Sequence, residues 1–183
     1  MDELSRDEYG ALRATIRARG SLRVGLAVAG VAAWAATLVA VLALLPNPVA
    51  AAIPLLVLLA TFEAMRTLHF GAERIGRYLQ VFHEDAGEPG GRPLAATPAW
   101  ERTAVLFGSP IPGAGGHPLF LPVFLMAAVV NLLAVILPGP VPVELGLMLV
   151  PHAAFVVWLL RVDGAVRAQR AHDLKRYREL YRE

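Results

Sequence analysis

Residues 49–70 read VAAAIPLLVLLATFEAMRTLHF. The strictly apolar part ends at Phe62, after fourteen residues, and fourteen residues of helix reach only about 21 Å. A bilayer's hydrocarbon core is about 30 Å thick. A helix crossing from Val49 therefore has to continue to about Phe70, carrying Glu63, Arg66 and His69 into the inner third of the membrane.

The rest of the chain supports a membrane reading of this stretch. VGLAVAGVAAWAATLVAVLALL, residues 24–45, is uncharged for 22 positions, about 33 Å of helix. Pro46 and Pro48 then end it. PLFLPVFLMAAVVNLLAVILP, residues 118–138, is the third block, and VELGLMLVPHAAFVVWLL, residues 143–160, is the fourth. Overall the 183 residues are 56% hydrophobic and 17% charged, with a mean hydropathy of +0.54. A soluble domain carries about 25% charged residues. Here the charge falls between the blocks. The fold class expected is an all-α integral membrane protein, a four-transmembrane-helix bundle.

Orientation follows from the basic residues. With the N-terminus in the cytoplasm, all 17 Lys and Arg lie on the cytoplasmic side or at its interface, and the outer side keeps two short turns and one acid, Glu144. Sixteen of the 17 are Arg, which with the high Ala content points to a GC-rich bacterial genome and so to the bacterial cytoplasmic membrane. MDELSRDEYGALRATIRARG, the first twenty residues, has no apolar core and does not read as a cleavable signal. The segments expected are a cytoplasmic amphipathic helix over 1–22, a hairpin over 23–84 whose second helix extends into the cytoplasm, a Gly/Pro-rich loop over 85–117, a second hairpin over 118–162 and an Arg-rich cytoplasmic helix over 163–183. In the loop, AWERTAVLF puts Trp100, Ala104 and Phe107 on one face of a short interfacial helix.

Several function classes drop out. The absence of cysteine removes disulfides, iron–sulfur clusters and Cys-based zinc sites. A pI near 9.4 does not imply nucleic acid, because the basic residues flank apolar blocks. GSPIPGAGGHP, residues 108–118, lacks the Gly-Lys-Ser/Thr of a phosphate loop. No serine stands with a histidine and an acid as a nucleophile, and the chain is not expected to be an enzyme.

The ionisable groups carry what functional signal there is. Glu63, Arg66, Glu73 and Arg77 recur at helical spacing on one face, and His69 lies four residues before Glu73. Two readings stand. Glu63 and Arg66 form an ion pair within the helix, with Arg66 reaching to the interface; or Glu63, deeper than it needs to be, serves a proton or ion path with His152. By depth, Thr37, Asn131, His152, Thr61, Glu63, Arg66 and His69 make a sparse polar ladder, whose plainer role is to hydrogen-bond helices together. Haem is a remote alternative. His69 and His152 differ by ~15 Å in depth, which leaves His69 with His117 in the loop. A metal site from His69, Glu73, His83, Glu84 and Asp85 has the right donors but no second matched motif. No metal or cofactor is expected.

Beyond the membrane, Arg74, Arg77, Tyr78, Gln80 and Phe82 make a mixed polar and aromatic surface suited to another protein or to the C-terminal helix, and Trp100 is a further lipid or partner contact. Gly25, Ala29, Ala32, Ala33 and Ala36 let another helix approach the first span closely. The function expected is a non-catalytic accessory or structural subunit of a larger membrane assembly. Its expected partners are membrane lipids and other membrane-protein subunits, with a homo-oligomer also open.

Overall fold

The computed structural model describes residues 3–45, 47–84 and 119–182. Among them the secondary structure is helical, with no strand. Helix α1 spans Glu3–Leu44. A 3₁₀ turn, Pro48–Ala51, leads into α2, Ala52–Leu79, which continues through a π-type turn, Gln80–Glu84. Helix α3 spans Leu121–Ile136 and α4 spans Pro142–Arg182. The loop over 85–117, its interfacial helix, Trp100 and His117 lie outside the described residues.

Three of these helices are long and apolar enough to cross a membrane: α1, α2 and α4. At 42 and 41 residues, α1 and α4 each exceed the roughly 20 needed for a crossing. They run through positions 22–23 and 162–163 without a break. A single glycine such as Gly20 costs only ~1 kcal/mol in a helix, too little to stop it. Helix α3 is shorter than the 118–138 block suggested. Its 16 residues reach about 24 Å. Phe120, immediately before it, takes a left-handed conformation (φ 51°, ψ 33°) that no helix propagates. Pro138 and Gly139 (φ 73°) close the other end.

The turns are locally specified. Asn47 caps the 3₁₀ turn, its side chain accepting from the Val49 N–H at 2.8 Å, with Pro48 at the first position. Glu144 reaches back to the Val141 N–H at 3.1 Å, the reciprocal half of a capping box, with Pro142 opening α4.

By packing, the described residues form two compact units, one of 23–67 with 119–164 and one of 3–22 with 68–84 and 165–182. In the first, Phe62 is fully buried with its ring edge against Phe124 and Trp158, both at 5.1 Å between centroids. Gly30 of α1 lies so close to Thr61 of α2 that a Cβ there would sit 2.0 Å from the Thr61 methyl. This unit holds a few polar groups inside a largely apolar core and is apolar outside as well. Asn131 and His152 are buried, while Val28, Val39, Leu56, Met126, Leu147 and Val150 are exposed. Soluble monomers rarely expose apolar patches above a few hundred Å², and an apolar surface with its polar groups turned inward is what a hydrocarbon solvent favours.

On α1 the buried positions Ala27, Gly30, Trp34, Leu38 and Val41 share one face. Directly opposite, at 100° per residue, lie Gly25, Ala29, Ala32, Ala36, Ala40 and Ala43, all exposed.

Candidate functional site

The buried polar groups of the first unit gather around Asn131. Its amide nitrogen donates to the Ala51 carbonyl at 3.0 Å and stands 2.9 Å from His152 Nε2, while its oxygen accepts from Trp34 Nε1 at 3.3 Å. His152 Nδ1 lies 2.7 Å from the Met148 carbonyl. A carbonyl only accepts, so Nδ1 carries the hydrogen and Nε2 accepts from Asn131. With that tautomer each of these contacts has one donor and one acceptor. The cluster joins α1, the 3₁₀ turn, α3 and α4. Trp34, which reads in the sequence as an ordinary apolar residue, is part of it; the available signal was an indole N–H at the depth of Asn131.

Thr37, Thr61 and Glu63 bond elsewhere among the described residues. Thr37 donates to Ala33 O and Thr61 to Val57 O, both at 2.7 Å and both four residues back on their own helices. Glu63 and Arg66 pair with each other. Arg66 Nε donates to one carboxylate oxygen at 2.8 Å and Nη2 to the other. The side chains of Glu63 and Arg66 are 44% and 31% exposed, so the pair sits on the flank of the unit, whereas His152 is buried.

The second unit centres on Arg77, which is buried. Its Nη1 donates to Glu73 at 3.1 Å and its Nη2 to Asp173 of α4 at 2.8 Å. Gln169 donates to the other Asp173 oxygen at 2.7 Å, and Arg74 stands 3.8 Å away. Burial alone would raise the Asp173 pKa. The hydrogen bonds from Arg77 and Gln169, with the charges of Arg77 and Arg74, outweigh it and hold the carboxyl below its ordinary value. Beside the ion pairs, Tyr78, Phe82 and His83 pack on both terminal segments. Phe82 meets Tyr177 and Tyr181 edge-on, Tyr78 donates to Glu8 at 2.9 Å, and His83 stands 3.6 Å from Glu8 beside Tyr9. Burial, then the Glu8 hydrogen bond, raises the Tyr78 pKa. Of the residues proposed for partner contact, Arg77, Tyr78 and Phe82 thus face the chain's own terminal helices, and Arg74 stays largely exposed. Glu8, Gln169 and Asp173 were not anticipated as their partners.

His69 is buried within this second unit. Among the described residues no three His, Asp or Glu side chains converge as a metal site. Two cavities of the first unit are lined mostly by apolar side chains. One groove of about 300 Å³ lies between α2 and α4, lined by Leu55, Leu56, Leu59, Pro151, Phe155 and Trp158 among others. Another, of about 260 Å³, lies beside the Asn47–Pro48 turn. Comparison with protein-family models, curated proteins and solved structures finds no match for this chain.

Proposed function

We propose that this chain is a non-catalytic accessory or structural subunit of a larger assembly in a bacterial cytoplasmic membrane, of the electron-transfer, photosynthetic or transport kind, with both termini in the cytoplasm. The observation that carries the reading is the outer face of α1. Positions turned toward lipid gain most from large apolar side chains, as Val28 and Val39 illustrate on the flanks of that face. Its centre, from Gly25 to Ala43, is instead Gly and Ala throughout. Small residues in a membrane helix let a second backbone approach closely, where van der Waals packing drives association. The described helices leave that face exposed.

Charge placement supports the orientation: no Lys or Arg falls in 24–65 or 103–160, which hold the apolar blocks and the two short turns between them. A proton or ion conduit through Glu63 and His152 has less support. Among the described residues, His152 bonds to Asn131 and Met148 while Glu63 bonds to Arg66, and no polar group bridges the two.

The test is a photo-crosslinking residue at Ala32, activated in native membranes, followed by mild extraction, a native gel and mass spectrometry. The expected product is a heavier band containing a second polypeptide, whose identity names the process. A chain that crosslinks only to lipid and migrates alone would overturn the proposal.

A further inference from the structure

The groove between α2 and α4 differs from the α1 face in having charge at one end. Leu55, Leu56 and Leu59 form one wall, Pro151, Ala154, Phe155 and Trp158 the other. The small Ala154 and the proline inside the helix leave the space open. Trp158 meets Phe62 at 5.1 Å, which puts those two residues at one level. Because the groove takes lower-numbered residues of both helices, α2 and α4 run in the same direction. Arg66 then lies four residues beyond Phe62 and Arg161 three beyond Trp158, about 6 Å and about 4.5 Å further along. The two arginines share a level to within about 1.5 Å. Arg66 follows Leu59 by seven residues, and Arg161 follows Ala154 by seven, so each continues a groove wall. Arg161 is exposed. Glu63 is paired to Arg66, so Arg161 is the charge at this level that this pair does not neutralise.

We infer that this groove binds an anionic glycerophospholipid, with an acyl chain against Leu55, Leu59, Phe155 and Trp158 and the phosphate held at the level of Arg66 and Arg161. The inference rests on the membrane reading of the first unit. A lipid presents this sequence of chemistry along its length: hydrocarbon, then the ester region where a tryptophan sits well, then a negative phosphate. An apolar partner helix would fill the groove equally well but would make no use of two arginines at its inner end. Arg161 offers phosphate a planar fork of donors, while the Nε and Nη2 of Arg66 are turned to Glu63.

The full chain is reconstituted in vesicles of equal parts phosphatidylglycerol and phosphatidylcholine, released in detergent and examined by native mass spectrometry for retained lipid. Phosphatidylglycerol should be retained over phosphatidylcholine, and R161Q, at an exposed position, should lower its retention about fivefold with phosphatidylcholine unchanged. Arg66 is left intact in this test, because removing it would strand Glu63. A154F fills the groove and should abolish retention of both lipids. Equal retention of the two lipids, or a phosphatidylglycerol signal indifferent to both R161Q and A154F, would overturn the site and leave only an unspecific lipid shell. Vesicle flotation is run in parallel. A chain that fails to float overturns the membrane reading, whereas one that floats without lipid preference overturns the lipid site alone.

Discussion

Arg77 and Asp173, ninety-six positions apart, meet through Nη2 and Oδ2 at 2.8 Å, with only 4% and 9% of their side chains exposed. The contact joins α2 to α4 within the second unit, beside the aromatic layer of Tyr78, Phe82, Tyr177 and Tyr181. Removing one member of a buried pair leaves the other charge uncompensated, at a cost of about 3–5 kcal/mol. Asp173→Ala should fall at the lower end of that range, because Glu73 still holds Arg77. Hydrogen exchange over residues 165–182 in detergent should accelerate by more than a hundredfold. Exchanging the two charges, Arg77→Asp with Asp173→Arg, should recover part of the protection. Protection unchanged in the single variant would show that the pair does not hold α4.

The same pair sets an acid limit. Asp173 has its pKa lowered in the folded chain relative to the ordinary 3.8. Between the folded and unfolded values the unfolded chain binds the extra proton, so stability rises with pH there. The contribution is complete above about 3.8 and is lost as pH falls through the folded value. Protection of the 165–182 segment should therefore drop as pH is lowered below 4. Asp173→Asn should remove that pH-dependent component while weakening the segment at neutral pH. A drop of equal size in Asp173→Asn would assign the acid effect to other carboxylates.

Asn131 should matter more than its single place in α3 suggests. Asn131→Ala leaves the Trp34 N–H, the Ala51 carbonyl and His152 Nε2 without their amide. Interhelical hydrogen bonds in membranes average about 0.6 kcal/mol each, so three of them amount to roughly 2 kcal/mol before any cavity is counted. Thr37→Val is the control: among the described residues its hydroxyl bonds to Ala33 on its own helix, and its loss should fall within about 0.5 kcal/mol. Thermal unfolding in detergent, followed by helical circular dichroism, ranks the two. Equal effects would mean that the cluster adds nothing to ordinary packing.

Helix positions and turns were legible in the sequence because they rest on local rules: apolar block length, Pro46 and Pro48, and Pro142 with Glu144. Continuity was harder to read. Nothing local distinguishes a helix that stops at Gly20 or Gly164 from one that passes through, since neighbouring packing decides. The shortness of α3 was also hidden, because PLFLP is apolar enough to extend a span and only the left-handed Phe120 ends it. Among site residues, Asn131 and His152 stood out as polar groups within apolar blocks, but their pairing needed the third dimension. Asp173 carried an unread signal. It falls in register with Val166, Tyr177 and Tyr181, an acid on the apolar stripe of its helix, and such a residue requires a buried cation opposite.

Glu63 decides between the two classes of function. If it serves a proton path, Glu63→Gln abolishes a pH-dependent flux in liposomes and leaves the fold intact. If it exists to neutralise Arg66, the parent shows no such flux, and the substitution acts on insertion instead. A charged side chain deep in a membrane costs about 2.5–3.5 kcal/mol on insertion scales, a cost that the Nε–Oε2 contact at 2.8 Å and its neighbour reduce by pairing. The ion pair sits on the flank of the unit and not on its axis, so the second outcome is expected. Glu63→Gln should lower the yield of membrane-inserted protein several-fold, and the double variant Glu63→Gln with Arg66→Gln should restore most of it. A conduit predicts the reverse pattern, with normal yield in Glu63→Gln and no recovery of flux in the double variant. Measuring yield and flux on the same three preparations separates the two, since the ion-pair role moves only the first quantity and the conduit role only the second.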